Sequence, residues 1–543
     1  MELYFMTEKP ISSQEFSSER SEAVEIEKRA MTKAAGVVGF WTALSRITGF
    51  IRDMAVALFM GAGSGADAFF VAFRIPNLLR RLFAEGALTA AFIPTYIEAL
   101  QEKGISEAAK LAQVAFTFSA IVLTLVTIGG VTFTPYVVEV IAPGFGYDPE
   151  KFNLTVELTR IMFPYIFFIS LVALLSGALN SLGLFAAPAA APLLLNITMI
   201  GSVMVFSSHY KCPAYYSLSW AVIVAGLLQL LLQIFFLPKV GIKLRPNFGF
   251  SNPALKKMGK LFVPAALGGA VYQVNVLVGT ILASMLPVGG VSWLYYADRL
   301  VELPLGIFAI ALGTAILPSM SRLAGQGDYR ALMRSLSFSL GLIAFLTIPA
   351  SVGLIILREP IIATLFQRGL FTYADTQETA FALLFYTLGL WAYSGLKVVT
   401  QAFFSLKDTR TPLWVSIGAV VTNLGCGLAL MGPMRHGGLA FATAISAAFN
   451  LAILFFILIR RIGFFPMREF AISLAKVIFA SSLMGVFLWF FRDATQWSHG
   501  ISLKNALILV GLLTGGIVTF FASAFILGCG ELKSLRSLIR SRK

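Results

Sequence analysis

Arg46, Arg52, Asp53, Asp67, Arg74, Arg80, Arg81 and Glu85 all fall in one stretch, residues 45–85, whose other residues are apolar enough to enter a bilayer. A charge near the bilayer centre costs about 2.5–3.5 kcal/mol even on lenient insertion scales. Later apolar runs add Asp298, Arg299, Glu302 and Lys397, which brings the set to seven cations and five anions. Any one pair, such as Arg46 with Asp53 or Arg299 with Asp298 or Glu302, could be an internal ion pair that orients helices. The whole set carries more cations than such pairing needs, and arginine suits a phosphate because its guanidinium forks onto two oxygens and stays charged. The chemistry predicted is therefore binding: a water-filled cavity that holds an anion.

Bond-making chemistry finds no support. His209, His436 and His499 are isolated, and none sits in HExxH spacing. Cys212, Cys426 and Cys529 are far apart and make neither a disulfide framework nor a metal cluster. No GxxxxGK[ST] occurs, so no ATP motor is read. No catalytic constellation, metal or cofactor is expected. Drive would then come from an ion gradient, the membrane potential or downstream consumption of the cargo.

These residues need elements to hold them. The chain has 543 residues, 57% hydrophobic and only 13% charged, with mean hydropathy +0.82. A soluble domain carries roughly 25% charged residues. Apolar runs of about 20 residues read as helices and not as barrel strands, so the class is an all-α polytopic membrane protein. Fourteen spans are predicted: 34–60, 66–98, 108–136, 154–180, 184–207, 216–237, 258–286, 291–320, 335–357, 377–405, 411–432, 437–459, 469–491 and 503–528. Residues 1–33 are polar and read as a disordered tail without a cleavable signal. The second and eighth spans are long and contain Pro76 and Pro94, and Pro304 and Pro318, so kinks are expected there.

On an ideal helix turning about 100° per residue, Asp67, Arg74, Arg81 and Glu85 form one stripe, with Arg80 turned aside. In the first helix Thr42, Arg46, Gly49 and Asp53 share a face, and Arg52 is turned from it. The net charge of +15 reads as the positive-inside rule and not as nucleic-acid binding. With the N-terminus in the cytoplasm, Lys and Arg gather in the N-terminal tail, in 239–260 and in the tail 529–543, while the external loops hold few. Both termini are therefore expected to be cytoplasmic.

A weak repeat is visible. Residues 181–188, SLGLFAAP, align with 405–412, SLKDTRTP, at an offset of 224, and Pro76 aligns with Pro304 at an offset of 228. The organisation expected is a six-helix lobe over 34–238, a second over 257–462, two further helices over 469–528, and a basic tail over 529–543. Parallel repeats of this kind place a binding site between the lobes near the midplane. Residues 61–66, GAGSGA, read as a flexible turn more readily than as a phosphate cradle. Gln273, Asn275, Asn423 and Thr443 fall mid-span. Polar glue between helices is the plainer reading; for Asn275, Asn423 and Thr443 an ion-coupling site is the sharper one.

The segments SRITGFIRDMAV, GADAFFVAFRIPNLLRRLFAEGALTAAFIPTY, SWLYYADRLVELPLGIFAIALGTAILPSMSR and FFSLKDTRTP resemble the hallmark segments of the MurJ (MviN) family, and the resemblance runs from about residue 34 over essentially the whole chain. It implies a member of the multidrug/oligosaccharidyl-lipid/polysaccharide exporter superfamily. Such a protein flips lipid II, the undecaprenyl-pyrophosphate-linked peptidoglycan precursor, to the periplasmic leaflet of the bacterial inner membrane. The family's functional arginines map by motif onto Arg46, Arg52, Arg80 and Arg299, and its functional aspartate onto Asp67. The last two helices would form a hydrophobic groove for the lipid tail. Partners implied are lipid II, membrane lipids and cell-wall synthesis proteins.

Three other classes remain to be weighed. Another exporter of the superfamily could carry a different polyprenyl-linked saccharide or a cationic drug, but a drug cavity would be acidic or aromatic. A polyprenyl-phosphate glycosyltransferase would need a carboxylate-bearing external loop, and the longest here, about 136–153, is short. A scaffold for cell-wall enzymes would use buried charge only structurally.

Overall fold

The computed structural model describes residues 13–306 and 310–532, excepting the side chains of 13–35, 83–85, 267, 269, 272, 310, 311, 314 and 315. Among the described residues every regular element is helical. In hydrocarbon a spanning segment must satisfy its own backbone, and a helix does so within one run.

Helix α1 (Ser13–Met60) begins 21 residues before residue 34, where the expected disordered tail gave way to the first span. Residues 20–34 are rich in Glu, Lys, Arg and Ala, the strongest helix formers, so the helix runs on past the apolar segment. Residues 1–12 lie outside the described residues, as do 533–543 of the expected basic tail. A turn at 61–63 leads into α2 (Ser64–Leu79), a π-helical segment (Arg80–Leu88) and α3 (Thr89–Thr132).

Next come α4 (Thr134–Ile141), α5 (Pro149–Met162), α6 (Tyr165–Ser181), α7 (Ala186–Ser202), α8 (Ala214–Phe236) and α9 (Pro253–Ser284). They are followed by α10 (Gly290–Pro304), α11 (Ile310–Gly325), α12 (Tyr329–Ile356), α13 (Arg358–Leu365), α14 (Tyr373–Leu388) and α15 (Leu390–Ser405). The series ends with α16 (Arg410–Ile462), α17 (Met467–Phe491) and α18 (Leu503–Ile526).

Nine helical runs among the described residues are long and apolar enough to cross a membrane. Two of these, Ser64–Thr132 and Arg410–Ile462, are far longer than the roughly 20 residues a bilayer needs. Each is broken at one residue: Gly104 (φ 75°, ψ −179°) and Arg435 (φ 48°, ψ −131°). Helix α16 folds back on itself at its break. Ser446 Oγ donates to the Ala419 carbonyl at 2.6 Å, and Asn450 Nδ2 reaches Ser416 Oγ at 3.4 Å.

The repeated turns share a conformation. Gly183 and Lys407, equivalent at the offset of 224, both have positive φ, 79° and 59°. Leu184 N donates to Leu179 O and Asp408 N to Phe403 O, the same long-range bond closing both helix ends. In the second copy Asp408 also binds the amides of Arg410 and Thr411 at 3.1 and 3.0 Å, the Thr411 hydroxyl at 2.7 Å and Arg461 Nη1 at 2.7 Å. That is the role of the aspartate in FFSLKDTRTP.

Helix α1 packs on α7, α7 on α8, and α6 on α3 and α8; beyond the 240–253 linker, α15 packs on α11, α12 and α16. The two sets meet where α2 touches α10 and where α3 and the π-helical segment touch α9. Helix α17 lies on α12 and α18.

Candidate anion-binding cavity

A cavity of about 1260 Å³ lies where these sets meet. It exceeds the roughly 300–1,000 Å³ of a drug-sized pocket. Helix α1 contributes Arg46, Arg52 and Asp53, the end of α2 and the π-helical segment contribute Asn77, Arg80 and Arg81, α7 contributes Asn196, α10 contributes Arg299 and Glu302, and α15 contributes Lys397. Among the described lining residues, six cations face two carboxylates.

The lining corrects the ideal-helix reading. Arg80 and Arg81 both reach the cavity, because they open a π-helical segment in which the turn is wider than 3.6 residues. Arg52, expected to be turned away, lines it beside Asp53. Arg74 leaves the expected stripe and donates from Nη1 to Thr280 Oγ1 of α9 at 3.0 Å. The side chain of Glu85 lies outside the described residues. Asp298 is partly buried on α10 beyond the lining, in the field of Glu302, Arg299, Arg74 and Arg81.

The cations fall into two kinds. Arg52 donates from Nε and Nη2 to Asp53 Oδ1 at 3.0 and 2.7 Å, and from Nη1 to Asn196 Oδ1 at 3.0 Å. Asn196 is anchored in turn to the Ser45 carbonyl at 2.9 Å and to Thr48 Oγ1 at 3.2 Å. Tyr295 OH donates to Asp53 Oδ1 at 3.1 Å. Arg299 stands 3.8 Å from Asp53 Oδ2, pairs with Glu302 at 2.7 Å and lies over the Tyr295 ring. Arg80 donates from Nε to Asn77 Oδ1 at 2.9 Å.

Arg46, Arg81 and Lys397 form the second kind. No carboxylate among the described residues pairs with them. Arg46 and Lys397 are solvent-exposed within the cavity. The Arg46 guanidinium lies so close over Gly306 of the other helix set that a Cβ there would overlap it.

Asp67 lies elsewhere. It is fully buried, outside the cavity lining, and accepts four bonds: Lys151 Nζ at 2.8 Å, Gly289 N at 2.9 Å, Ser292 N at 3.0 Å and Ser292 Oγ at 2.7 Å. The amides belong to the start of α10, so Asp67 caps that helix from across the seam between the two sets. These four bonds occupy both of its oxygens. The face bearing the 61–63 turn is shut by further bonds: Tyr296 OH to Gly61 O at 3.1 Å and Gly144 N to Ser284 Oγ at 3.1 Å.

Asn275 and Asn423 pair with each other at 2.9 Å between α9 and α16, and Thr443 bonds its own helix at Leu439 O. None lines the cavity. Among the described residues no group of three or more His, Cys, Asp and Glu gathers as a metal site would need.

Sequence reasoning missed Asn196, Tyr295 and Lys151. A polar residue inside the apolar run PLLLNITMIG was the available signal for Asn196. Tyr295, one turn before Arg299, had the spacing to lie beside it. Lys151 gave none, since a loop lysine reads as solvated.

Residues 56–508 match the family model described as lipid II flippase MurJ. A probable lipid II flippase MurJ of Vibrio cholerae is 37% identical over 95% of this chain and 99% of its own. A solved lipid II flippase MurJ in an inward closed conformation superposes with TM-score 0.75 at 26% identity, covering 92% of this chain and 99% of that one. An inward-facing multidrug resistance MATE family transporter shares the fold at TM-score 0.65 and 16% identity, over 79% of this chain and 98% of its own. The chain is an all-helical, multi-pass membrane protein, and it belongs to the lipid II flippase MurJ family.

Proposed function

We propose that the chain is a lipid II flippase that carries the pyrophosphate-linked sugar–peptide head from the cytoplasmic to the periplasmic leaflet. The observation that carries this is that, among the described lining residues, six cations face two carboxylates. A polar head cannot cross hydrocarbon, and such a lining replaces its hydration. The cavity is then exposed to one side and next to the other by rocking of two lobes, 34–238 and 257–462. The matching turns at Gly183 and Lys407 support the two-lobe repeat. Asp67, expected as a ligand, serves instead to close one face.

Arg46, Arg81 and Lys397 bind the diphosphate directly. Arg52, Arg80 and Arg299 hold the wall and join when Asp53, Asn77 and Glu302 release them. Fourteen crossings are proposed, with the breaks at Gly104 and Arg435 dividing the two longest runs. Both termini are cytoplasmic by the Lys and Arg distribution, which puts the 61–63 turn outside. Helices α17 and α18 expose Val486, Leu507, Ile517 and Val518 and take the polyprenyl tail.

An inside-negative membrane potential favours this direction, since each negative charge moved outward gains about 2.3 kcal/mol per 100 mV. Asn275, Asn423 and Thr443 supply no carboxylate for a coupling cation, so the potential is the driver proposed.

The test is complementation in a bacterium depleted of its own flippase, with lipid II counted in each leaflet. The chain should return lipid II to the outer leaflet. Continued retention in the inner leaflet, with the chain correctly inserted, would refute the reading.

A further inference from the structure

On the face bearing the 61–63 turn, two glycines meet across the seam. Gly61 has φ 61° and Gly369 has φ 58°. A Cβ on Gly61 would stand 2.5 Å from the Leu370 carbonyl oxygen, and one on Gly369 would overlap the Leu58 carbonyl. Between them Leu370 N donates to Leu58 O at 3.0 Å. Leu58 lies in the last turn of α1, where a helix leaves carbonyls without partners. The amide of Leu370, between α13 and α14, therefore caps α1 from the opposite helix set. Asp67 caps α10 in the reverse direction close by. The two sets exchange helix caps, one backbone and one side chain, and the backbone exchange requires two residues without side chains.

We propose that Gly61 and Gly369 form a backbone latch that closes the cavity on this face, and that a side chain at Gly369 holds that face open. The proposal rests on alternating access of the cavity. Each glycine has two separate reasons to be glycine: the left-handed backbone and the close approach. Asparagine tolerates the first but not the second, which separates them. Gly63, two residues from Gly61, has φ −83° and nothing within 4 Å of a Cβ, so it serves as the neutral neighbour.

The experiment uses the full chain with Cys212, Cys426 and Cys529 replaced and a single reporter, Ala173→Cys, on the uncharged cavity wall. A membrane-impermeant thiol reagent is applied to right-side-out and to inverted vesicles. Gly63→Cys, in a separate chain, identifies which face carries the turn. From that face the reporter should label about tenfold faster in Gly369→Ala and in Gly369→Asn, the mark of a population shift of about 1.4 kcal/mol. Gly63→Ala should label as the parent does. If Gly369→Ala fails to fold, Gly61→Ala reads the same contact from the other set. Folded Gly369 variants that label as the parent would overturn the latch, and so would a return to parent labelling in Gly369→Asn alone. Either result leaves the flippase reading intact, because lipid II export by the parent chain is measured separately.

Discussion

Asp53 Oδ2 stands 3.8 Å from Arg299 Nε, across the seam between α1 and α10. The same carboxylate binds Arg52 on its own helix at 2.7 Å. One buried anion thus restrains two arginines from opposite sides of the cavity. Asp53→Asn should leave both cations undercompensated, lower stability by about 1–3 kcal/mol and abolish export with the protein still inserted. Thermal unfolding in detergent and a leaflet count of lipid II check this; export at the parental rate would contradict it.

Among the described residues no carboxylate pairs with Arg46, Arg81 or Lys397, so their removal should cost binding and not stability. Alanine at each should weaken lipid II binding by about tenfold, or 1.4 kcal/mol, with an unchanged melting midpoint. Arg46→Lys should recover part of the affinity, since it keeps the charge and loses the fork. Arg52→Ala should behave differently and lower the midpoint, because it breaks charge-assisted bonds worth about 1.5–3 kcal/mol. Equal midpoint losses in all four variants would merge the two kinds of cation.

Asp67 and Lys151 are a buried pair with 0% and 5% side-chain exposure. Removing the anion alone strands the lysine, at a cost of about 3–5 kcal/mol. Asp67→Ala should therefore melt lowest, and adding Lys151→Met should raise the midpoint again. Additive losses in the double variant would show that the pair is not coupled.

Asp408 lies in the loop before α16, outside the membrane runs. The Thr411 amide, followed by the Thr411 hydroxyl and Arg461, holds its carboxyl below the usual carboxylate range despite partial burial. A lowered folded-state value contributes stability above the unfolded pKa, about 3.9, and loses it as pH falls through the folded value. Asp408→Asn should therefore melt below the parent at pH 7, with the gap closing as the pH drops below about 4. A gap independent of pH would assign the turn's stability to shape alone.

The membrane class, the all-helical character and the cationic lining of the cavity follow from apolar runs interrupted by arginine, a local pattern that sequence carries well. Arg46, Arg52, Arg80, Arg81 and Lys397 could all be placed on spanning helices that way. Their exact facing could not, because a wheel drawn at about 100° per residue assumes an α-helix, and Arg80–Leu88 is π-helical. The role of Asp67 was hidden for another reason. Its donors, Lys151, Gly289 and Ser292, lie 84 to 225 residues away in sequence, and no periodicity reports contacts at that range. The helical start at Ser13 was missed because a polar, charged segment was read by hydropathy when its propensity pointed the other way.

The most direct test of the cavity's role places a photo-crosslinker at Ile51, on the cavity wall beside Arg52, in the export-competent chain in membranes containing lipid II. The adduct should carry the sugar–peptide head of lipid II, and excess pyrophosphate should suppress it. Capture of ordinary phospholipid alone, while export continues, would contradict that role.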